Sequence, residues 1–202
     1  MSKIKIKDVN TLVRTNFLNL YDLEFQNKTG KINHWMVASR KSAYDMKQIY
    51  LKNAKQKIDA VIIVAIHEET GKLVLINQFR VPVNGYIYEL PAGLIDNNED
   101  VESAVRRELK EETGLDLIRI DEKLTKKQVY MSPGMTDESV ALVYCLCTGN
   151  LSSEYMEDDE EIEPMLISKD DAQRIVESES HRIDIKAYMI LKDFLSDSIS
   201  LK

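Results

Sequence analysis

The stretch Gly93-Leu-Ile-Asp-Asn-Asn-Glu99, continued through Arg107-Glu108-Leu-Lys-Glu111-Glu112-Thr-Gly114-Leu115, decides how the chain is read. Its acidic start, Asp96, Glu99 and Asp100, suits a helix N-terminus, where aligned peptide dipoles favour negative charge. Gly114 suits the stop, because glycine accepts the left-handed conformation that ends helices. At about 100 degrees per residue, Val101, Ala104 and Val105 form an apolar stripe, and Glu108 and Glu112 fall in the middle of it. Two carboxylates one turn apart repel by roughly 0.2–0.5 kcal/mol on an exposed helix, and by more when desolvated. Neighbouring charges are spaced as pairs, Glu102 with Arg106 and Arg107 with Glu111, whereas Glu108 and Glu112 have no Lys or Arg three or four positions away. Either a hard divalent cation supplies the positive charge, or the acids sit at the rim of the core and reach water.

The spacing adds a second argument. Gly93, five residues, Glu99, seven residues, Arg107-Glu108-Leu109, one residue, Glu111-Glu112, one residue, Gly114-Leu115 resembles the complete Nudix box. The resemblance implies an enzyme that hydrolyses a diphosphate bond joined to a nucleoside or similar group, using Mg²⁺ or Mn²⁺. By position it makes Glu108 and Glu112 metal ligands and catalytic residues, with Glu111 a third acid in or near the metal shell. Arg107 and Glu99 would hold the loop and helix in place, as would Gly93 and Gly114. Ala92 matches the position whose carbonyl ligates a metal.

Composition sets the outer bounds. The chain has 202 residues, is 44% hydrophobic and carries a formal charge of −7. That charge argues against a protein of the nucleic-acid backbone, which would show a basic face. No apolar run approaches the ~20 residues of a membrane helix, and the basic start lacks the apolar core of a secretion signal. Cys145 and Cys147 lie two apart in an apolar run, a poor disulfide geometry and half of a metal site at most. Buried reduced thiols and a cytoplasmic protein are expected.

Along the chain, residues 1–16 show little pattern and read as a short arm or helix. Phe17, Tyr21, Leu23 and Phe25 alternate as in a strand, Asn27-Lys-Thr-Gly30 reads as a turn, and residues 31–40 as a second strand. The pair predicts an N-terminal hairpin with little core of its own. Residues 42–56 read as an exposed helix or insertion. Strands are expected at 59–67, 72–80, 86–91, 117–131, 139–147 and 165–167, and helices at 169–177, capped by Ser168, and 183–195. The pattern predicts an α+β protein, which in the resembling family is an α/β/α sandwich with a mixed sheet. Residues 1–56 form the extension and 57–202 the Nudix domain.

Three flanking stretches narrow the resemblance to ADP-ribose pyrophosphatases: Lys31–Trp35 through Ser39-Arg40; Gln78-Phe-Arg80 with Glu89-Leu-Pro-Ala-Gly-Leu-Ile-Asp96; and Tyr130-Met-Ser-Pro-Gly-Met-Thr-Asp-Glu138. The resemblance implies a nucleoside diphosphate sugar as substrate, cut to AMP and ribose 5-phosphate. Trp35 would stack the adenine, with a core or dimer-interface aromatic as the alternative. Arg40 and Arg80 would fork onto phosphate oxygens, against the plain reading of surface arginines. Glu89 would touch substrate or metal, or pair with a nearby arginine. In the run Glu157–Glu163, Glu160 takes the place of a catalytic loop glutamate, with Glu161 or Glu157 as alternatives. The resembling family also implies a homodimer whose sites borrow residues from both chains, Trp35 among them. Rival readings are a Nudix enzyme of another nucleotide substrate and a non-catalytic ADP-ribose sensor.

Overall fold

The computed structural model describes residues 4–156, 161–199 and 201. The chain divides into two compact units, Met1–Asp59 with Gln128–Val140, and Ala60–Lys127 with Ala141–Lys202.

In the first unit, β1 (Lys5–Val13), β2 (Asn19–Gln26) and β3 (Ile32–Ser39) form an antiparallel sheet in that order. The turn at residues 27–30 joins β2 to β3, with Asn27 Oδ1 accepting from the Thr29 and Lys31 amides and Gly30 at φ +87°. Helix α1 (Ala43–Lys52) starts at Ser42, whose hydroxyl accepts from the Asp45 amide, and ends at the left-handed Asn53. Val9, Tyr21, Leu23, Val37 and Met46 form a buried core, with Ile6, Ala43, Tyr50 and Leu51 packed against it. Two expectations are thereby corrected. Residues 5–13 are a strand rather than an arm or helix, and the extension has its own core. Strand β1 buries only Val9, so its sequence carries almost no period-two apolar signal. The 43–52 helix contributes Met46 to this core.

An eight-stranded mixed sheet, most of it in the second unit, runs in the order β11-β5-β4-β10-β8, with β6 on β5, β7 on β4 and β9 on β10. These strands are β4 (Ala60–His67), β5 (Leu73–Arg80), β6 (Gly85–Glu89), β7 (Ala92–Leu94), β8 (Asp116–Ile120), β9 (Lys126–Tyr130), β10 (Ser139–Thr148) and β11 (Ile162–Ile167). The central β4 is an unbroken apolar run, Ala60-Val-Ile-Ile-Val-Ala, buried at every one of those positions, as a strand covered on both faces requires. Helix α2 (Val101–Thr113) packs against β4, β7 and β11. Helices α3 (Lys169–Glu177) and α4 (Ile185–Leu195) pack on each other and against β11 and β6. Ser168 and Asp171 close a capping box at the start of α3.

The span 117–131 is two strands rather than one, broken where Asp121 Oδ1 accepts from the Lys123 and Leu124 amides. Strand β11 begins at Ile162, inside the stretch read as acidic loop, because residues 162–167 pair with β5 along their whole length. No described helix is long and apolar enough to cross a membrane.

Cys145 and Cys147 are buried free thiols. Burial raises both, Cys147 to about 12, so neither holds a reactive thiolate near neutrality. A thiol-specific disulfide reagent at pH 8 is expected to leave both unmodified in the native protein and to titrate two thiols after unfolding.

Candidate active site

The box folds as a loop laid over a helix. Asp100 caps α2, its carboxylate accepting from the Ser103 amide, which holds that carboxyl below its ordinary range. Gly114 ends the helix at φ +75°, donating to the Lys110 carbonyl at 2.9 Å. A β-carbon there would sit 2.7 Å from the Ser152 amide nitrogen, so both conformation and space call for glycine.

The face of α2 turned to the sheet buries Ala104, Val105, Glu108, Leu109, Glu112 and Thr113. Glu108 is 9% exposed and Glu112 2%. Glu112 Oε2 accepts from the Ala92 amide at 3.0 Å, tying the helix to β7. Gly93, next in β7, passes so close to Glu108 that a β-carbon on it would collide with the Glu108 carboxylate. Ala92, Gly93, Glu108 and Glu112 are thus brought together.

Arg107 gathers the remaining charges. Its guanidinium donates to Glu99 at 2.9 and 3.0 Å, to Glu108 at 2.7 Å, to Glu111 at 3.0 Å and to the Leu94 carbonyl at 2.9 Å. The absence of cations three or four positions from Glu108 therefore does not leave it without a counter-ion. The long Arg107 side chain reaches its immediate neighbour, a contact that helical spacing alone does not anticipate. Glu99, whose carboxylate also accepts from the Asp96 amide, has its pKa lowered chiefly by Arg107, and Arg107 is raised chiefly by Glu99. The same group thus links the 94–99 loop to the acids of the helix.

In the same unit Arg80 forms a fork on Glu89, Nε to Oε1 at 3.0 Å and Nη2 to Oε2 at 2.7 Å. Glu161 is held at both ends: its carbonyl accepts from the Phe79 amide at 3.2 Å, and its carboxylate accepts from the Tyr86 hydroxyl. That hydrogen bond raises the Tyr86 hydroxyl above its ordinary value. Glu160 and Glu157 lie outside the described residues.

Trp35 and Arg40 lie in the first unit. Trp35 projects from β3, 52% exposed, with its indole Nε1 donating to the Gly134 carbonyl at 3.2 Å. Arg40 pairs with Glu138 at 3.3 Å. The proline-bearing 132–138 loop therefore packs beside β3, a long-range pairing that no local pattern in the sequence signals.

A NUDIX domain model matches residues 56–187. The chain belongs to the Nudix family. It is 37% identical over 124 residues to an ADP-ribose pyrophosphatase from Bacillus subtilis, covering 59% of this chain and 63% of that one. It is 31% identical over 144 residues to an ADP-ribose pyrophosphatase from Saccharomyces cerevisiae, covering 69% and 57%. A GDP-mannose pyrophosphatase from Yersinia pestis is 28% identical over 144 residues, covering 68% and 64%. The matched region spans less than two thirds of the length of these three curated relatives, from 57% to 64%. A crystal structure of an ADP compounds hydrolase shares the fold, with a TM-score of 0.66, 18% identity and coverage of 98% of this chain and 97% of that one.

Among the described residues no three acids, imidazoles or thiolates are gathered into a ready-made metal cage. The donor set of the Nudix helix nevertheless fits a hard cation. Glu108 and Glu112 are buried acids on one face, Glu111 shares Arg107 with Glu108, and Gly93 leaves the Glu108 carboxylate the space a side chain would fill.

The Arg107–Glu99 pair has a pH signature. Glu99 ionises below the ordinary glutamate value of 4.5, so its stabilisation is complete above that pH and is lost as pH falls through the lower folded value. Glu99→Gln is expected to lower the melting temperature at neutral pH by about 2–4 °C, the response to ~1 kcal/mol in a chain this size. Melts followed by circular dichroism should converge with the unmutated protein as the pH drops below 4.5.

Proposed function

We propose that this Nudix protein hydrolyses the diphosphate bond of ADP-ribose, or of a closely related ADP-sugar, to a nucleoside monophosphate and a sugar phosphate. The observation that carries the proposal is the burial of Glu108 and Glu112 on one face of α2, against the close-passing backbone at Gly93. The ADP-ribose pyrophosphatase relatives support the choice of substrate. Arg80 and Glu89, already forked together, form a charged pair on the same unit through which a phosphate oxygen can be recruited. Trp35 offers an exposed flat face to a nucleobase, and Arg40, half exposed, a guanidinium to a phosphate.

In this reading Glu108, Glu112, Glu111 and the Ala92 carbonyl hold Mg²⁺ or Mn²⁺. The bound cation offsets the charge of the diphosphate and lowers the pKa of water. Arg107 aims the Glu108 and Glu111 carboxylates through its hydrogen bonds to both, and it anchors the loop through Glu99 and Leu94. The Ala92 amide fixes the Glu112 carboxylate. Glu160 accepts the proton of the attacking water, the oxygen adds to one phosphorus, and the bridging oxygen leaves with the other phosphate. The protein acts as a cytoplasmic homodimer, in which Trp35 of one chain serves the site of its partner. The 1–56 segment provides the dimer contact, and 57–202 the catalytic domain.

A substrate panel tests this reading. With Mg²⁺ present, ADP-ribose is expected to give a higher kcat/KM than GDP-mannose, a nucleoside triphosphate or a dinucleoside polyphosphate. Preference for GDP-mannose would move the substrate to that of the Yersinia relative. Tight binding of ADP-ribose without turnover would make the chain a sensor.

A further inference from the structure

Lys41, just beyond β3, is a lysine that the box and its metal do not use, and its side chain is only 11% exposed. Its Nζ lies 2.6 Å from Asp59 Oδ1 and 3.2 Å from Asp137 Oδ2, and both carboxylates are mostly buried. Its backbone is fixed as well. The Lys41 carbonyl accepts from the Tyr21 hydroxyl at 2.8 Å and from Asn19 Nδ2 at 3.1 Å, and its amide donates to Ser39 Oγ at 3.1 Å. Asp59 in turn exchanges hydrogen bonds with Ser139, accepting from its amide and donating to its carbonyl, both at 2.8 Å. Asp137 Oδ2 makes no hydrogen bond among the described residues, so the charge of Lys41 is what compensates that buried oxygen.

Asp137 ends the loop that meets Trp35. From β3 outward, Trp35 Nε1 donates to the Gly134 carbonyl, the Ala38 amide donates to the Met135 carbonyl at 2.9 Å, Arg40 pairs with Glu138, and Lys41 pairs with Asp137. The first three contacts are exposed or single; Lys41 joins two mostly buried acids. Removing it leaves Asp59 only its Ser139 hydrogen bonds and leaves the buried Asp137 Oδ2 without its cation, the condition in which a buried charge costs most. The loop end then moves toward water, and the Gly134 carbonyl leaves the indole.

We propose that Lys41 is a positioning residue for substrate selection. It clamps the 132–138 loop to β3 through Asp59 and Asp137, and so fixes the orientation of Trp35. The proposal rests on the reading of Trp35 as the nucleobase platform. Trp35 is the sole tryptophan, so intrinsic fluorescence reports on it directly.

The experiment compares Lys41→Met, Lys41→Arg and Trp35→Ala in the full chain. Lys41→Met should raise acrylamide quenching of Trp35 about twofold and shift its emission to the red, with unchanged far-ultraviolet circular dichroism. The KM for ADP-ribose should rise about tenfold while kcat changes less than about threefold, and Lys41→Arg, whose fork can serve two carboxylates, should return KM to within about twofold. Wild-type quenching and KM in Lys41→Met overturn the proposal. If Lys41→Met does not fold, Lys41→Gln is read by the same two measurements with the same outcomes. Unchanged KM in Trp35→Ala, beside raised quenching in Lys41→Met, overturns the base platform and the selection role while leaving the clamp.

Discussion

Glu112→Gln is expected to lower the kcat of Mg²⁺-dependent ADP-ribose hydrolysis by about a thousandfold, the scale of losing several kcal/mol of charge stabilisation in the transition state. The fold should survive, because the glutamine side-chain oxygen can still accept from the Ala92 amide. Glu112→Gln keeps the volume of this buried side chain and so opens no cavity. In the absence of metal the variant should therefore melt close to the unmutated protein. Added Mg²⁺ should raise the melting temperature of the unmutated protein and not that of the variant, since only a state that binds the cation is stabilised by it. A metal-dependent shift of equal size in both would remove Glu112 from the metal site.

Gly93→Ala is expected to lower kcat about a hundredfold, the usual result of displacing a reacting group by about an ångström. The added methyl meets the Glu108 carboxylate, the movable end of a side chain, so the acid gives way rather than the strand. The stability cost should stay below ~2 kcal/mol. A double-mutant cycle isolates the cause. In a Glu108→Ala background the collision vanishes, and Gly93→Ala should add little further loss of kcat/KM. Additive losses would mean that Gly93 acts through something other than Glu108.

The legibility of this chain divides by the range of the interactions. Helix α2 was readable because its acids interrupt an apolar stripe and its ends carry Asp100 and Gly114, all local signals. Strand β4 was readable as an unbroken apolar run. Strand β1 was not, because an edge strand that buries only Val9 leaves no alternation to detect. The pairing of Arg107 with Glu108 escaped because spacing rules describe residues three and four apart, whereas a long guanidinium also folds back on its neighbour. The clasp between β3 and the 132–138 loop escaped for a different reason. Trp35 with Gly134 and Lys41 with Asp137 are each separated by almost a hundred positions, and only the folded chain brings them together. The hairpin therefore shows little core in the sequence, whereas β1 and α1 complete a buried core with it in the folded unit.

The burial of charge has a common logic across both units. Arg107 serves three carboxylates and a carbonyl, and Lys41 serves two carboxylates. In each case one cation holds more than one acid, leaving a local excess of negative charge. At the box that excess is suited to a divalent ion. At Lys41 the excess lies beside Trp35's loop, to which Lys41 adds a charged clamp between two mostly buried acids.

The most direct measurement is the product analysis of ADP-ribose incubated with the protein and Mg²⁺, beside a chelated sample and Glu112→Gln. AMP and ribose 5-phosphate in equal amounts, formed only by the unmutated protein with metal present, is the predicted result. Equal product formation by the chelated sample or by Glu112→Gln would contradict the assignment of this buried helix face to metal-dependent diphosphate hydrolysis.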